Sequence, residues 1–264
     1  MSTPESQLSI LLDDPGRSAL LSDIDGTLCR IVDRPENARV PAKATKSLDV
    51  LCERLGLVAC VTGRPALVGR SMVGAEGVTY FGNHGLELLR PGDEQPEIRL
   101  DSEQVDRAAR FIADNDSPVW VEAKIRLEDK GPIQALHWRG AGPRTEALVR
   151  QIADHAIAVD LTAHWGRKVL ELRPPDMEGK AGAVERLLAA NGFETVVFAG
   201  DDKTDLEAVR RLQEMRDMGQ IPNLLVVAVG SSEGPEELFE RADVLVTESD
   251  EWIALIARLA AHDA

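Results

Sequence analysis

The chain has 264 residues, 44% of them apolar and 28% charged, with 30 Lys+Arg against 45 Asp+Glu and a formal net charge of −15. This is the composition of a globular protein long enough to bury a core in one large domain or two small ones, not of a disordered chain. The acidic balance speaks against nucleic acid and anionic membrane surfaces, and disfavours a phosphorylated small molecule unless a cation or a basic pocket reverses the local field.

Three cysteines, Cys29, Cys52 and Cys60, form neither a disulfide framework nor a zinc motif. The N-terminus lacks a basic region, and Asp13-Asp14 interrupts its short apolar stretch, so a signal peptide is not expected. No apolar run approaches a bilayer span. These features predict a cytoplasmic protein.

From the N-terminus, Ala19-Leu20-Leu21 leads into Asp23, and residues 41–54 carry helical spacing. A strand over 57–61, a helix opened by Pro65 and a strand over 78–81 follow. Residues 103–174 break this rhythm. They begin with an amphipathic helix, continue with strand-like pieces near 118–124 and 132–139, then a helix near 143–156 and strands near 157–162 and 168–173. The alternation then resumes: helix 180–190, strand 196–199, helix 203–215, strand 224–229, helix 235–241, strand 244–246 and helix 250–261. Short buried strands alternating with helices predict an α/β fold, a Rossmann-like parallel sheet covered on both faces. The core comprises 1–102 and 175–264, and 103–174 is an inserted α+β cap, with Pro91-Gly92 and Pro174-Pro175 near its ends. No role is assignable to 1–17.

Four strand ends or helix starts carry polar clusters, where open α/β sheets bind ligands. In Ser22-Asp23-Ile24-Asp25-Gly26-Thr27-Leu28, two carboxylates at i and i+2 point the same way in an extended chain. One can serve as nucleophile and the other as general acid/base, and Gly26 permits a sharp turn. Val61-Thr62-Gly63-Arg64-Pro65 offers a hydroxyl and backbone N–H groups to an anion, or is an ordinary strand–helix turn. Gly179-Lys180 puts a cation at a helix start, where the helix dipole disfavours it, so it either has a positive task or, as the segment alone favours, is a solvated lysine. Ala199-Gly200-Asp201-Asp202-Lys203-Thr204-Asp205 concentrates carboxylates at a strand end, for which a hard divalent cation is the natural compensation.

Together and in this order, the four segments resemble the haloacid dehalogenase superfamily of phosphatases. The resemblance implies that Asp23 attacks phosphorus, that Asp25 serves the leaving alcohol and then the water, and that Thr62 and Lys180 hold the phosphoryl group. It implies a Mg2+ site formed by Asp23, Asp25 and Asp201, with Asp205 assisting.

More specifically, Gly82-Asn83-His84-Gly85-Leu86-Glu87, Glu128-Asp129-Lys130-Gly131, His137-Trp138-Arg139 and Glu171-Leu172-Arg173-Pro174 are similar to the trehalose-6-phosphate phosphatase family, over about Leu20 to Leu259. The resemblance implies that Glu128 and Lys130 of the cap hold sugar hydroxyls, and that Asn83, His84 and Glu87 line the pocket from the core. Gly26, Gly63, Arg64, His137 and Arg139 join them at the substrate. Alternation over 132–139 puts His137 and Arg139 on one strand face, and His137 is either a pocket residue or a hydrogen-bonded structural one. Trp120, Trp138 and Trp165 are expected in the cap's own core. The chain departs from the family pattern at Trp138, at Leu206-Glu207-Ala208, at Ala181 and at Thr62, and no departure removes a catalytic group. The expected substrate is therefore trehalose 6-phosphate, with other disaccharide, glycosyl-glycerate or cyclitol phosphates, or a silent sugar-phosphate sensor, as alternatives.

Overall fold

A computed structural model describes residues 3–32, 35–166, 168–175, 177–189, 191–230 and 234–262. In chain order the elements are α1 (Pro4–Leu8), β1 (Ser18–Ser22), α2 (Ala42–Arg54), β2 (Leu57–Val61), α3 (Ala66–Val73), β3 (Thr79–Gly82), β4 (Glu87–Leu89) and β5 (Glu97–Ile98). Then come α4 (Ser102–Asn115), α5 (Pro118–Glu122), β6 (Arg126–Asp129), β7 (Gln134–His137), α6 (Pro143–Ala158), β8 (Thr162–Gly166) and β9 (Val169–Arg173). The last are α7 (Gly179–Ala189), β10 (Thr195–Gly200), α8 (Lys203–Asp217), β11 (Asn223–Val229), α9 (Glu236–Arg241), β12 (Val244–Val246) and α10 (Ser249–Ala261). They divide into two compact units, Met1–Ile98 with Glu178–Ala264, and Arg99–Met177.

The first unit is built on an eight-stranded sheet in the order β12-β11-β10-β1-β2-β3-β4-β5. Its strands from β12 to β3 are parallel, and β4 and β5 add antiparallel edges. The parallel strands read as unbroken apolar runs because helices cover both of their faces. Successive side chains alternate between two cores. Leu20, Val58, Cys60, Val197 and Val227 pack with α2, α3 and α10, while Ala19, Leu21, Val61, Phe198 and Val226 pack with α7, α8 and α9. The chain leaves β1 for β2 on one side and returns to pair β10 on the other, so β1 is a topological switch point.

The N-terminal stretch, to which the sequence assigns no role, belongs to the first of these cores. Leu8 and Leu11 are buried beside Trp252, Ile256 and Leu259 of α10.

The second unit holds a four-stranded antiparallel sheet, β6-β7-β9-β8. One face carries Leu136, Trp138, Leu170 and Leu172, which pack with Phe111 and Ile112 of α4 and Val149 and Ile152 of α6. The cross-strand register Glu128–Ala135–Glu171–His164 runs along the other face.

Three expectations need correcting. Residues 118–122 form α5, not a strand. Ser117 accepts the Val119 N–H and Pro118 occupies the first turn, a helix start that outweighs the strand preference of Val119 and Val121. The segment 157–162 is not one strand either, because α6 runs on to Ala158 and β8 begins at Thr162. Trp120 and Trp138 are core residues, whereas Trp165 is 38% exposed and stacks edge-on against Trp138. Among the described residues no helix is long and apolar enough to cross a membrane.

Truncating a fully buried leucine removes its contacts and leaves a cavity. Leu11→Ala is expected to lower the unfolding free energy by about 3 kcal/mol in denaturant titration. A loss below about 1 kcal/mol would mean that this stretch is not part of the core.

Candidate active site

The carboxyl ends of β1, β2, β3 and β10 bring the expected core residues together. Asp23 follows β1 directly, and its N–H donates to Ala199 O of β10 at 2.9 Å. Gly26 has φ +91°, and a Cβ there would lie 2.2 Å from the Asp201 carboxylate. Only glycine combines that backbone with that closeness. Asp201 is held from the same turn, with Thr27 Oγ1 donating to its Oδ1 at 3.1 Å.

Lys180, in the first turn of α7, is buried. Its Nζ donates to Asp23 Oδ1 and to Asp205 Oδ1, each at 2.7 Å. Asp205 Oδ2 accepts the N–H groups of Asp201 (2.9 Å) and Asp202 (3.1 Å). Asp202 caps α8 by accepting from Thr204 and Asp205, and Asp205 completes a capping box. Asp205 is thus at once a helix-start residue and the partner of Lys180.

The electrostatics follow from too many carboxylates in a dry space. Burial raises Asp23 well above its ordinary value, Lys180 opposes the rise, and Asp205, Asp201 and Asp202 add to it. Burial also lifts Asp205, to about 6, against the pull of Lys180. Burial disfavours charge on Lys180, but Asp205 and Asp23 outweigh it and hold the ammonium well above its ordinary value. Burial would raise Asp202 too, yet Lys180 and the Asp205 N–H bring it down to about 2.

Asp23, Asp201 and Asp205 each present an oxygen within 4.8 Å of the others. Lys180 binds two of these three carboxylates, and together they concentrate hard oxygen donors at one point. That donor chemistry fits a divalent cation of the magnesium type.

Thr62 is buried at the end of β2, and its hydroxyl oxygen accepts the Arg64 N–H at 3.1 Å. A hydroxyl that accepts in this way still has its own proton to donate. Gly63 lies against His84, whose ring atoms would be 2.7 Å from a Cβ there. Arg64 grips Asp25 through two bonds, Nε to Oδ2 at 2.7 Å and Nη2 to Oδ1 at 2.6 Å. Asn83 and His84 are buried in left-handed backbone, with φ +47° and +57°.

Glu87 departs from expectation. It is buried, and both of its oxygens are engaged within the unit, by the Ala66 N–H (2.6 Å) and by Asn83 Nδ2 (2.7 Å). Both of its oxygens thus serve the backbone and the Asn83 amide of its own unit.

In the second unit, Glu128 and His137 form a pair at 2.7 Å, and Lys130 Nζ donates to Glu171 Oε1 at 2.8 Å. Arg173 binds the other Glu171 oxygen at 2.6 and 3.1 Å. Arg139 is exposed in the turn beyond β7, so strand alternation does not put it on the face of His137. Glu171 and Arg173, which are not among the expected site residues, lie in this same polar group. The signal was available in their alternation along β9, which puts both on one face.

A family profile described as trehalose-phosphatase matches residues 21–243. A trehalose-phosphate phosphatase of Mycobacterium avium is 35% identical over 212 residues, covering 72% of this chain and 50% of that protein. A probable trehalose-phosphate phosphatase of Sinorhizobium fredii is 30% identical over 217 residues, covering 80% of each. The chain spans only 16% to 50% of the length of its mycobacterial relatives. The solved trehalose-6-phosphate phosphatase C-terminal domain of C. albicans shares the fold, with a TM-score of 0.75 at 20% identity over 99% of this chain and 98% of that one.

The hydrogen bond from His137 holds the Glu128 carboxyl below its ordinary value, against burial and with help from Lys130. A lowered carboxyl stabilises the fold fully above the ordinary carboxylate range, and this contribution is lost as pH falls through the folded value. His137→Ala is expected to move the Glu128 titration midpoint upward in carboxyl carbon NMR. An unmoved midpoint would mean that the pair does not form.

Proposed function

The chain belongs to the trehalose-phosphatase family, and on that premise we propose that it hydrolyses trehalose 6-phosphate to trehalose and inorganic phosphate, with Mg2+. The observation that carries this reading is the buried Lys180 ammonium joining Asp23 to Asp205 beside Asp201, at the switch point of a parallel sheet.

On this reading an Asp23 oxygen attacks phosphorus while the phosphorus–ester oxygen bond breaks, leaving an aspartyl phosphate. Asp25 gives its proton to the departing sugar oxygen. It then takes a proton from water, the water oxygen bonds to phosphorus, and the bond to Asp23 breaks to release phosphate and restore both carboxyl groups. Lys180 and the Thr62 hydroxyl donate to the phosphoryl oxygens as charge builds there. Arg64 orients Asp25 through its two bonds. Asp23, Asp201 and the Asp25 carbonyl would hold Mg2+, which supplies positive charge between an anionic nucleophile and an anionic ester. Asp205 completes the acidic group and fixes Lys180.

In the second unit, Glu128, Lys130 and His137, with Arg139 and the additional Glu171, are assigned to the sugar hydroxyls. Glu128 and Glu171 are acceptors that hydroxyl groups can share, and the register puts them in one cross-strand row.

Purified protein with Mg2+ is expected to release phosphate from trehalose 6-phosphate faster than from sucrose, glycosyl-glycerate or cyclitol phosphates. A chelator should abolish the release, and Asp23→Asn should lower it by about a thousandfold or more. Normal turnover in Asp23→Asn would remove the nucleophile assignment, and equal rates across the panel would remove the substrate assignment.

A further inference from the structure

Glu87 opens β4, opposite Gly82. Its two hydrogen bonds reach the two backbone segments that frame the phosphoryl side of the site. Ala66, which donates to Oε2, is the first residue of α3 and follows the Thr62–Pro65 loop directly. The leading N–H groups of a helix need partners from outside it, and Pro65, at the cap position, provides no side-chain bond. Glu87 supplies that partner from a different strand.

Asn83, which donates to Oε1, begins the left-handed turn containing His84. Such backbone is costly for residues other than glycine and persists only where its surroundings hold it. The turn and the loop are also joined to each other. Asn83 N donates to Arg64 O at 2.7 Å, His84 N to Thr62 O at 2.9 Å, and Thr62 N to Phe81 O at 2.9 Å. Gly82 lies so close to Ala66 N that a Cβ would be 2.2 Å away. Loop and turn are therefore one piece, and Glu87 grips it at both ends.

We propose that Glu87 is a positioning residue, not a sugar ligand: through the Ala66 N–H and the Asn83 amide it fixes where Thr62 and Arg64 stand relative to Asp23 and Asp25. The inference rests on the phosphatase reading above. Burial, opposed by its two hydrogen bonds, raises the Glu87 carboxyl. A glutamine has the same length and can keep both contacts. Its carbonyl keeps the Ala66 N–H, and a reversed Asn83 amide accepts from its NH2 group.

The test uses E87A and E87Q in the full chain with Mg2+, on trehalose 6-phosphate and on p-nitrophenyl phosphate, which has no sugar. E87A is expected to lower kcat on both esters by a similar factor, about tenfold or more, with KM less affected, because a small displacement of phosphoryl-holding groups is felt in the transition state. E87Q should restore most of the activity. Amide exchange at Ala66 should accelerate in E87A and stay slow in E87Q. Should E87A fail to fold, E87D, one methylene too short to span both donors, replaces it.

A loss confined to trehalose 6-phosphate would make Glu87 a sugar ligand and overturn the proposal. Unchanged activity, or unchanged Ala66 protection in E87A, would overturn it as well. Wild-type protein that turns over neither ester would remove the phosphatase reading instead, and the Ala66 exchange would still decide the role of Glu87.

Discussion

Lys180 carries its ammonium out of water to a point 2.7 Å from both Asp23 and Asp205. Burying a charge costs several kcal/mol, about, unless partners and hydrogen bonds compensate for it. The first turn of α7 adds to that cost, because the N-terminal end of a helix is already partly positive. Two carboxylates offset both penalties, and so the helix start, the end of β1 and the start of α8 have to converge. Asp205 passes the constraint on, since its second oxygen fixes the Asp201 and Asp202 amides. Removing Lys180 would take from Asp23 and Asp205 the ammonium that both of them bind, beside Asp201.

The two units treat charge differently. In the first unit, burial and mutual repulsion lift Asp23 and Asp205, the mark of a site with excess negative charge. In the second, the polar sheet face is nearly balanced within itself: Glu171 lies between Lys130 and Arg173, and Glu128 is paired with His137. Crowded buried carboxylates are the donor chemistry of a divalent cation, whereas a face whose charges are paired leaves little net field.

Much of this was legible because buried parallel strands and helix starts leave strong local traces. The run Leu57–Val61 and the D-x-D segment after β1 could be read without any partner in view. What escaped depended on contacts distant in the chain. The three residues of β4 are too few to show a period, and Glu87 is polar yet buried because its partners are a backbone N–H and an amide. In α5, Val119 and Val121 suggested a strand, but both are exposed and only Trp120 is buried, so their strand preference had nothing to pack against. Leu8 and Leu11 became core residues through α10, at the opposite end of the chain. The individual roles of the carboxylates came from family resemblance, since spacing alone does not separate a nucleophile from a cap.

The position of β1 has a consequence for how the chain is made. Both of its edges are paired in the finished sheet, one by β2 and the other by β10. During synthesis β2 emerges soon after it, whereas β10 follows only after the whole second unit. Until then the most central strand of the protein is an edge, with apolar side chains and open backbone groups on its unpaired side. The nascent chain must shelter that edge while a complete unit is inserted between its halves, and Asp23 meets Lys180 only after that unit has been made.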